Sequence, residues 1–408
     1  MTDLLKNCIS ENQDLIVDVI EQGAEVMASI AGDLSPIFSI LAHSVKLAMG
    51  NVESKDVQFM QEQLQKLQDR LAAVSEESQQ IIEELKKSQA YHVYSSVENN
   101  LNNHFRKFTD IFKAKDQARE SRKDMFMASF KRTGVKDNLN TLYDAVTGNN
   151  FSGESVLEIT LNYEQKSRRA VEEFCAMLKN LFCIGLITLL GYTAMEGSGK
   201  EEDLRQDWGE KMKVVQSKMD EAIEECINSF PTQAELDAER IVRGRADKNN
   251  QQLADMLMDH LKKKYDWVCW SVRVFNSPTG LFANKKDFQG LMGNNQFVVS
   301  VSDEKLNVVI SYSASPEPID KALILTLILF LEQNKCIFKK SSMAMMSKQI
   351  FVTIPHCVVH TVKTSCKDLG FSCSFSDERH YSIKFENFHV FVHSEKNKEK
   401  NRKAIVNS

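Results

Sequence analysis

The sequence predicts a mainly α-helical protein, a long-helix bundle followed by a smaller α+β domain with a mainly antiparallel sheet. Three observations predict it. None of the six prolines falls between positions 37 and 230. That suits a run of helices, because an interior proline costs a helix about 3 kcal/mol. Within the run, Leu181 to Met195 is fifteen residues without a charge, and a helix apolar on every face has to be surrounded by other helices or by lipid. At Tyr265 the composition turns to β-branched and aromatic residues, the signature of strands. The expected domains are a helical bundle over 1–264 with a central apolar helix at 174–196, an α+β domain over 265–393, and a basic, disordered tail over 394–408.

Taken in order, residues 11–31 set Leu15, Ile16, Val19, Ile20, Ala24, Met27 and Ile30 at helical spacing. Ser35 and Pro36 form an N-cap and N1 pair that starts a second, largely apolar helix ending at Gly50. Over 56–90, Met60, Leu64, Leu67, Leu71, Val74, Ser78, Ile81 and Leu85 alternate in steps of four and three, a heptad seam with only Ser78 polar. This seam suits one helix of an intramolecular bundle or a homo-oligomeric coiled coil. Matching stripes in the helices that follow (93–114, 117–132 and 137–147) favour the bundle. The basic residues between Arg106 and Lys123 are interspersed with acidic ones, which describes a solvated face. Ser155 begins a helix that runs through Tyr163 into the central stretch. The GSGKEED segment after it reads as a turn. A phosphate-binding loop needs GxxxxGK[ST] after a strand, and here Ala194 stands at the first glycine and Glu201 follows the lysine. Trp208, Met212, Val215, Met219, Ala222 and Cys226 form a further stripe up to a break at Pro231, and 233–264 continues as a polar helix.

The second domain reads as strands DWVCWSVRVFN, QFVVSVS and LNVVISYS, the last two a hairpin, then a helix IDKALILTLILFLEQ. IFVTI is expected as a strand and His356 to Leu369 as a helix. FSCSFS, HYSIKF and FHVFVH are expected as strands.

Two environments compete for the central stretch, whose large residues include Leu181, Phe182, Ile184, Leu186, Ile187, Leu189 and Leu190. Fifteen helical residues reach about 22 Å against a bilayer core of about 30 Å. Extending the segment back to Phe174 brings in Lys179, which costs roughly 2.5–3.5 kcal/mol at bilayer centre. Length and Lys179 therefore favour a core helix over a membrane segment.

Composition narrows the function. A net charge of −5 gives no general drive toward nucleic acid. Nine scattered cysteines without a CxxC pair fit thiols in a reducing compartment. The N-terminal MTDLLKNCISENQD lacks a basic then apolar leader pattern, so the expected location is cytoplasmic, with peripheral membrane association as the alternative. His356 and His360 would stand at i and i+4 on a helix, but no third metal ligand is identifiable. Cys357 beside them lacks any visible activating environment. No GxSxG, HExxH or GxGxxG element is present. The sequence thus offers no catalytic, cofactor-binding or metal-ligating residues, and an enzyme is not expected.

Several stretches carry a family likeness: VIEQGAEVMASIAGDLSPIFSILAHSVKLAMGNVESKDVQFMQEQ, SVENNLNNHFRKFTDI, LYDAVTG and, further on, KKKYDWVCWSVRVFN. In these the chain resembles the rapunzel family of fish proteins, well over its first 150 residues and loosely beyond, and is similar more distantly to cephalotoxin-like animal proteins. The resemblance implies developmental regulation and brings no catalytic residues to carry over. The expected function is a non-enzymatic interaction protein with a protein partner, acting through helical-bundle surfaces. The alternative is a membrane-active protein similar in architecture to α-helical pore-formers, with 174–196 and 11–49 as inserting segments.

Overall fold

The computed structural model describes residues 35–50, 55–72, 81–83, 89–149, 154–197, 201–245, 247–276, 295–301, 306–319, 356–364, 366–376, 381–384 and 388–395, with isolated positions elsewhere. Most of the helix expected over 11–31, Val74 and Leu85 of the seam, and all of the tail beyond Glu395 lie outside the described residues. The chain is mainly α with an antiparallel α+β portion after it. It divides into two compact units, Met1–Asn228 and Ser229–Ser408.

The first unit is helical. Its elements are α1 (Ser35–Met49), α2 (Lys55–Ala72), α3 (Gln89–Lys113), α4 (Asp116–Thr133), α5 (Val135–Thr147), α6 (Val156–Tyr163), α7 (Arg168–Glu196) and the start of α8 (Glu201–Arg243). Gly134 ends α4 and begins α5 at φ +59°, a left-handed turn that glycine adopts without a Cβ clash. Ser155 opens α6 with a capping box, accepting from the Glu158 amide while Glu158 accepts from its own. The expected continuous helix from Ser155 into the central stretch is corrected here. Gln165 and Lys166 both take positive φ, so α6 stops in the polar run Asn162–Ser167 and α7 starts afresh.

α7 is the middle of this unit. Helices α1, α3 and α5 pack on it, with α2 and α6 alongside. Its fit is set by small residues. A Cβ on Gly185 would overlap Leu139 of α5 and crowd Leu101 of α3, and one on Gly191 would overlap the ring of Phe108 on α3. An aromatic row continues from there: Phe108 against Phe126, Phe126 against Phe130, and Phe130 stacked on Tyr192 at 3.8 Å. Arg119 of α4 is buried and donates to the carbonyls of Ala48 and Ala114, which pins the end of α1 to the α3–α4 corner.

The second unit begins further upstream than the composition change at Tyr265 suggests, and this corrects the expected boundary after 264. Phe230, Ala234, Ala238 and Val242 of α8 and Leu253, Leu257 and Leu261 of α9 (Asn250–Lys264) belong to its core. Pro231 lies inside α8 and does not end it, against expectation. The stripe at i, i+4, i+8 and i+12 from Phe230 is buried, and that packing offsets the proline's cost. The strands are β1 (Cys269–Asn276), β2 (Gln296–Val301), β3 (Leu306–Ser313), β4 (Val358–Lys363), β5 (Lys367–Cys373), β6 (Tyr381–Lys384) and β7 (Phe388–His393). They form a four-stranded sheet, β2-β3-β1-β5, and a three-stranded sheet, β4-β7-β6, with every ladder antiparallel. Trp270, Val272 and Val274 of β1 join the core with α8 and α9, while Phe275 and Val309 pack with Val362 and Phe391 of the second sheet. β3 is buried along its whole length, as a strand covered on both faces should be.

Two further expectations change here. The helix foreseen over His356–Leu369 is two strands, β4 and β5, because VVHTV carries a β-branched run behind Pro355. Val352 and Thr353 of the expected strand IFVTI are helical. On the edge strand β5, Gln251 of α9 both donates to and accepts from the Phe371 backbone, closing part of an exposed ladder.

The packing of α7 yields a contrast between its glycines. Alanine at either site gains about 1 kcal/mol of helix propensity. At Gly191 the new methyl meets a ring held among other rings, whereas at Gly185 it meets the end of a leucine that can turn. Gly191→Ala is expected to destabilise the protein by about 1–3 kcal/mol, and Gly185→Ala by clearly less, in chemical denaturation followed by helical circular dichroism. Stabilisation by both would show that α7 is not held this closely.

Candidate functional site

The central apolar stretch and the heptad seam singled out in the sequence fall in the first unit. Leu181, Phe182, Ile184, Leu186, Ile187, Leu189 and Leu190 are all buried, none more than 4% exposed. The polar residues among them are satisfied within the helix: Thr188 donates to the Ile184 carbonyl and Thr193 to that of Leu189. Tyr192 donates to Glu196 at 2.7 Å, and burial followed by that carboxylate pushes its phenol up to about 12. Lys179 is buried in the same helix. Burial pushes the Cys175 thiol up to about 12 despite the nearby Lys179 charge, so it is not a thiolate at neutral pH. Among the described residues, α7 alone is long and apolar enough to cross a bilayer, and 83% of its most apolar window is buried. In the seam, Met60, Leu64, Leu67 and Ile81 are buried. Leu71 lies on α2, and Gln65 on the outer face bonds Asp69 and Lys113.

Beside the seam lies an amide-rich cleft of about 630 Å³, lined by Gln68 of α2 and by Asn99, Asn100, Asn102, Asn103 and Arg106 of α3, with Phe105 at its base. Four of the amides are already engaged: Asn99 donates to Ser95 at 3.5 Å and Asn100 to Asn138 at 3.2 Å, while Gln68 accepts from Lys113 at 3.3 Å and Asn103 from Arg106 at 3.0 Å. Beside the Arg106 guanidinium, the remaining capacity of these amides offers uncharged donors and acceptors, the groups that pair with a peptide backbone.

The second unit holds two buried ionic centres that sequence reasoning missed. Arg273 of β1 is 1% exposed and lies between two rings, its guanidinium carbon 3.6 Å from the Phe391 centroid and 4.2 Å from that of Phe371. It donates to His393 Nε2 at 3.0 Å. That nitrogen must accept, so the proton sits on Nδ1, which faces Cys373 Sγ at 3.6 Å. Burial pulls the guanidinium down to about 9, still a cation at neutral pH. His360 of β4 is 2% exposed, and neither of its ring nitrogens has a hydrogen-bond partner. Burial, then Arg273 and His393, holds it well below the usual histidine range and therefore neutral. The available signal was an arginine in the middle of the apolar strand WSVRVF, on the face alternate to Val272 and Val274.

Asp237 is the second centre. It is 1% exposed. Its Oδ1 accepts from Gln233 at 3.1 Å and Arg240 at 3.0 Å, and its Oδ2 from Lys264 at 2.6 Å, Tyr265 at 2.8 Å and His260 at 3.4 Å. Burial pushes this carboxyl upward, but the bonds from His260 and Lys264 and the Lys264 charge outweigh it and hold it below the carboxylate range. Asp237 ties α8 to the end of α9. Its acceptor capacity is used by protein groups, which is the condition of a structural carboxylate.

The histidine pair considered as a metal site is not on a helix. His356 precedes β4 and lies 3.4 Å from Ser315 and 3.6 Å from Glu317, while His360 is inside the sheet packing. Cys357 is buried and its thiol is pushed up to about 12. Among the described residues, no group of three or more His, Cys, Asp or Glu could hold a metal ion.

Known proteins place the chain. Protein rapunzel of Danio rerio is 30% identical over 212 residues, which is 52% of this chain and 92% of that protein. The chain belongs to the rapunzel family. A family model for the cephalotoxin-like middle helical domain matches residues 50–248, from the start of α2 to the end of α8. No solved structure matches the chain. The domain matched by that model is helical, and the Arg273 centre lies beyond it.

The Arg273 centre implies acid sensitivity. A histidine kept neutral in the fold but not in the unfolded chain leaves stability unaffected above about pH 6.5. Below that, the unfolded chain gains a proton that the fold refuses. His360 should therefore cost the second unit up to about 1.4 kcal/mol per pH unit as pH falls from 6.5. His360→Phe should flatten this dependence in urea titrations at stepped pH. An unchanged slope in the variant would show that His360 titrates normally.

Proposed function

We propose that this protein is a non-enzymatic regulatory protein of the rapunzel type that works by binding a protein partner through the surface of its helical bundle. The observation that carries the reading is where five of its most strongly shifted titratable groups lie. Cys175, Asp237, Arg273, Cys357 and His360 are all buried among protein neighbours, whereas catalysis needs such groups to converge on an open pocket. The amide-rich cleft of α2 and α3 is the surface assigned to the partner, because uncharged amides beside Phe105 suit an extended peptide segment. The net charge of −5 supports a protein rather than a nucleic-acid partner. Scattered cysteines with no CxxC pair support a cytoplasmic location. No cofactor enters this reading.

Affinity capture of the full chain from cells that express it tests the proposal. The expected result is a stoichiometric protein partner that is lost from the triple variant Asn99→Glu, Asn102→Glu, Asn103→Glu while thermal unfolding is little changed, since Asn99 is exposed and Asn102 and Asn103 are only half-buried. A chain that elutes alone, or a partner kept by the triple variant, would sink the assignment of this surface.

A further inference from the structure

A buried cation needs a counter-charge or a full set of acceptors. Among the described residues Arg273 has neither. Phe371 and Phe391 flank its guanidinium, His393 accepts from it, its Nε has no partner, and no carboxylate pairs with it. The neighbour able to carry a negative charge is Cys373. β1 and β5 pair with Arg273 opposite Phe371 and Ser271 opposite Cys373, so alternation puts Arg273, Phe371 and Cys373 on one face of the sheet. Burial lowers the guanidinium, and the charge of Cys373 acts against that.

The hydrogen bonds at this centre have a direction. His393 of β7 covers the face, its ring centroid 5.2 Å from that of Phe371 and 6.1 Å from that of Phe375, stacked on both. Its Nε2 is taken by the Arg273 donor, so Nδ1 presents an N–H to Cys373 Sγ at 3.6 Å. An imidazole held this way cannot take the thiol proton. It donates to a thiolate instead, and the guanidinium behind it adds positive charge. Around the same centre, His360 on β4 stands with its ring 6.3 Å from that of His393 and is neutral. Cys269 on β1 has the opposite surroundings, for burial and then Glu395 push its thiol upward. Access separates Cys373 from the buried Cys175, Cys183, Cys226 and Cys357. It is half-buried and ends β5, the edge strand of its sheet. Phe371 and Phe375 stand to either side of it on the same face, so the sulfur is open to a small reagent rather than a bulky one.

We propose that Cys373 is a peroxide-reactive site, a thiolate held by the His393 N–H and the Arg273 charge that a small hydroperoxide oxidises to a sulfenate. The sulfur attacks one peroxide oxygen, an S–O bond forms and the O–O bond breaks. With hydrogen peroxide, RS− and H2O2 give RSO− and H2O. Sulfur loses two electrons and the peroxide gains them, while the departing oxygen keeps its own hydrogen and takes that of the oxygen transferred. The product keeps its negative charge beside Arg273. The reaction is stoichiometric and belongs to the second unit, so it stands or falls independently of the protein-partner reading.

Brief exposure of the purified full chain to hydrogen peroxide with dimedone present, followed by peptide mass spectrometry, tests it. Dimedone should label Cys373 at least about tenfold faster than Cys269 or Cys366, the other half-buried cysteines among the described residues. Alkylation of Cys373 by iodoacetamide should be half-maximal at least about one pH unit below the ordinary thiol value of about 8.5. Arg273→Met should slow the dimedone labelling by about fivefold with the fold kept, since an apolar side chain of similar length suits a buried site. The proposal is overturned if Cys269 or Cys366 is labelled as fast as Cys373, if the alkylation profile is that of an ordinary thiol, or if a folded Arg273→Met chain reacts like the wild type. Should the methionine variant fail to fold, the labelling rates and the alkylation profile of the wild type decide between the same outcomes.

Discussion

A helical stretch with no polar face has to be covered on every side, and the covering of Leu181–Thr193 in α7 orders the first unit. Nineteen of its residues, from Ala170 to Thr193, are buried. Each large side chain among them contributes about 1.5–3 kcal/mol when removed from water, an upper range because an unfolded chain already buries some surface. The neighbours answer this one requirement. α3 supplies Leu101 and Phe108 opposite the glycines, and α5 supplies Leu139. α4 adds Phe126 and Phe130 to the stack on Tyr192. The glycines let these helices approach closely, so the helix least able to face water is also the one most tightly enclosed.

The second unit solves a different problem, the burial of charge. Asp237 shows the complete solution, with five protein donors around one carboxylate. Arg273 shows a partial one. Two aromatic faces and one imidazole nitrogen replace water around its guanidinium, while its Nε and both nitrogens of His360 lack partners. Unsatisfied buried groups cost about 1–3 kcal/mol each. This interface between the two sheets is therefore held by packing of Phe275, Val309, Val362 and Phe391, and it is where added positive charge does most harm.

Much of the architecture was legible in residue spacing, because one interaction at a time decides it. The seam at Met60, Leu64, Leu67 and Ile81, the stripe from Trp208 to Cys226, and the glycine stops at 134 and 148 follow from periodicity and from φ alone. What was not legible depended on partners distant in sequence. Pro231 reads as a break until Phe230 is seen among Tyr265, Trp267, Trp270 and Tyr312. The segment after Pro355 reads as a helix until β4 is seen paired along β7. The unit boundary was displaced for the same reason, since the polar surfaces of α8 and α9 hid the narrow stripes they give to the sheet. Residue spacing alone did not single out Arg273 or Asp237, because burial is a property of the fold.

The central claim is that α7 is a core element and stays one. Native-state hydrogen exchange on the full chain, with and without anionic vesicles, tests it most directly. The amides of Leu181–Thr193 should exchange only through global unfolding of the first unit, as slowly as any in α3, and at the same rate when vesicles are present. Exchange in 181–193 that is faster than in α3, or that changes when vesicles are added, would contradict the account and make α7 a segment held in reserve for the membrane.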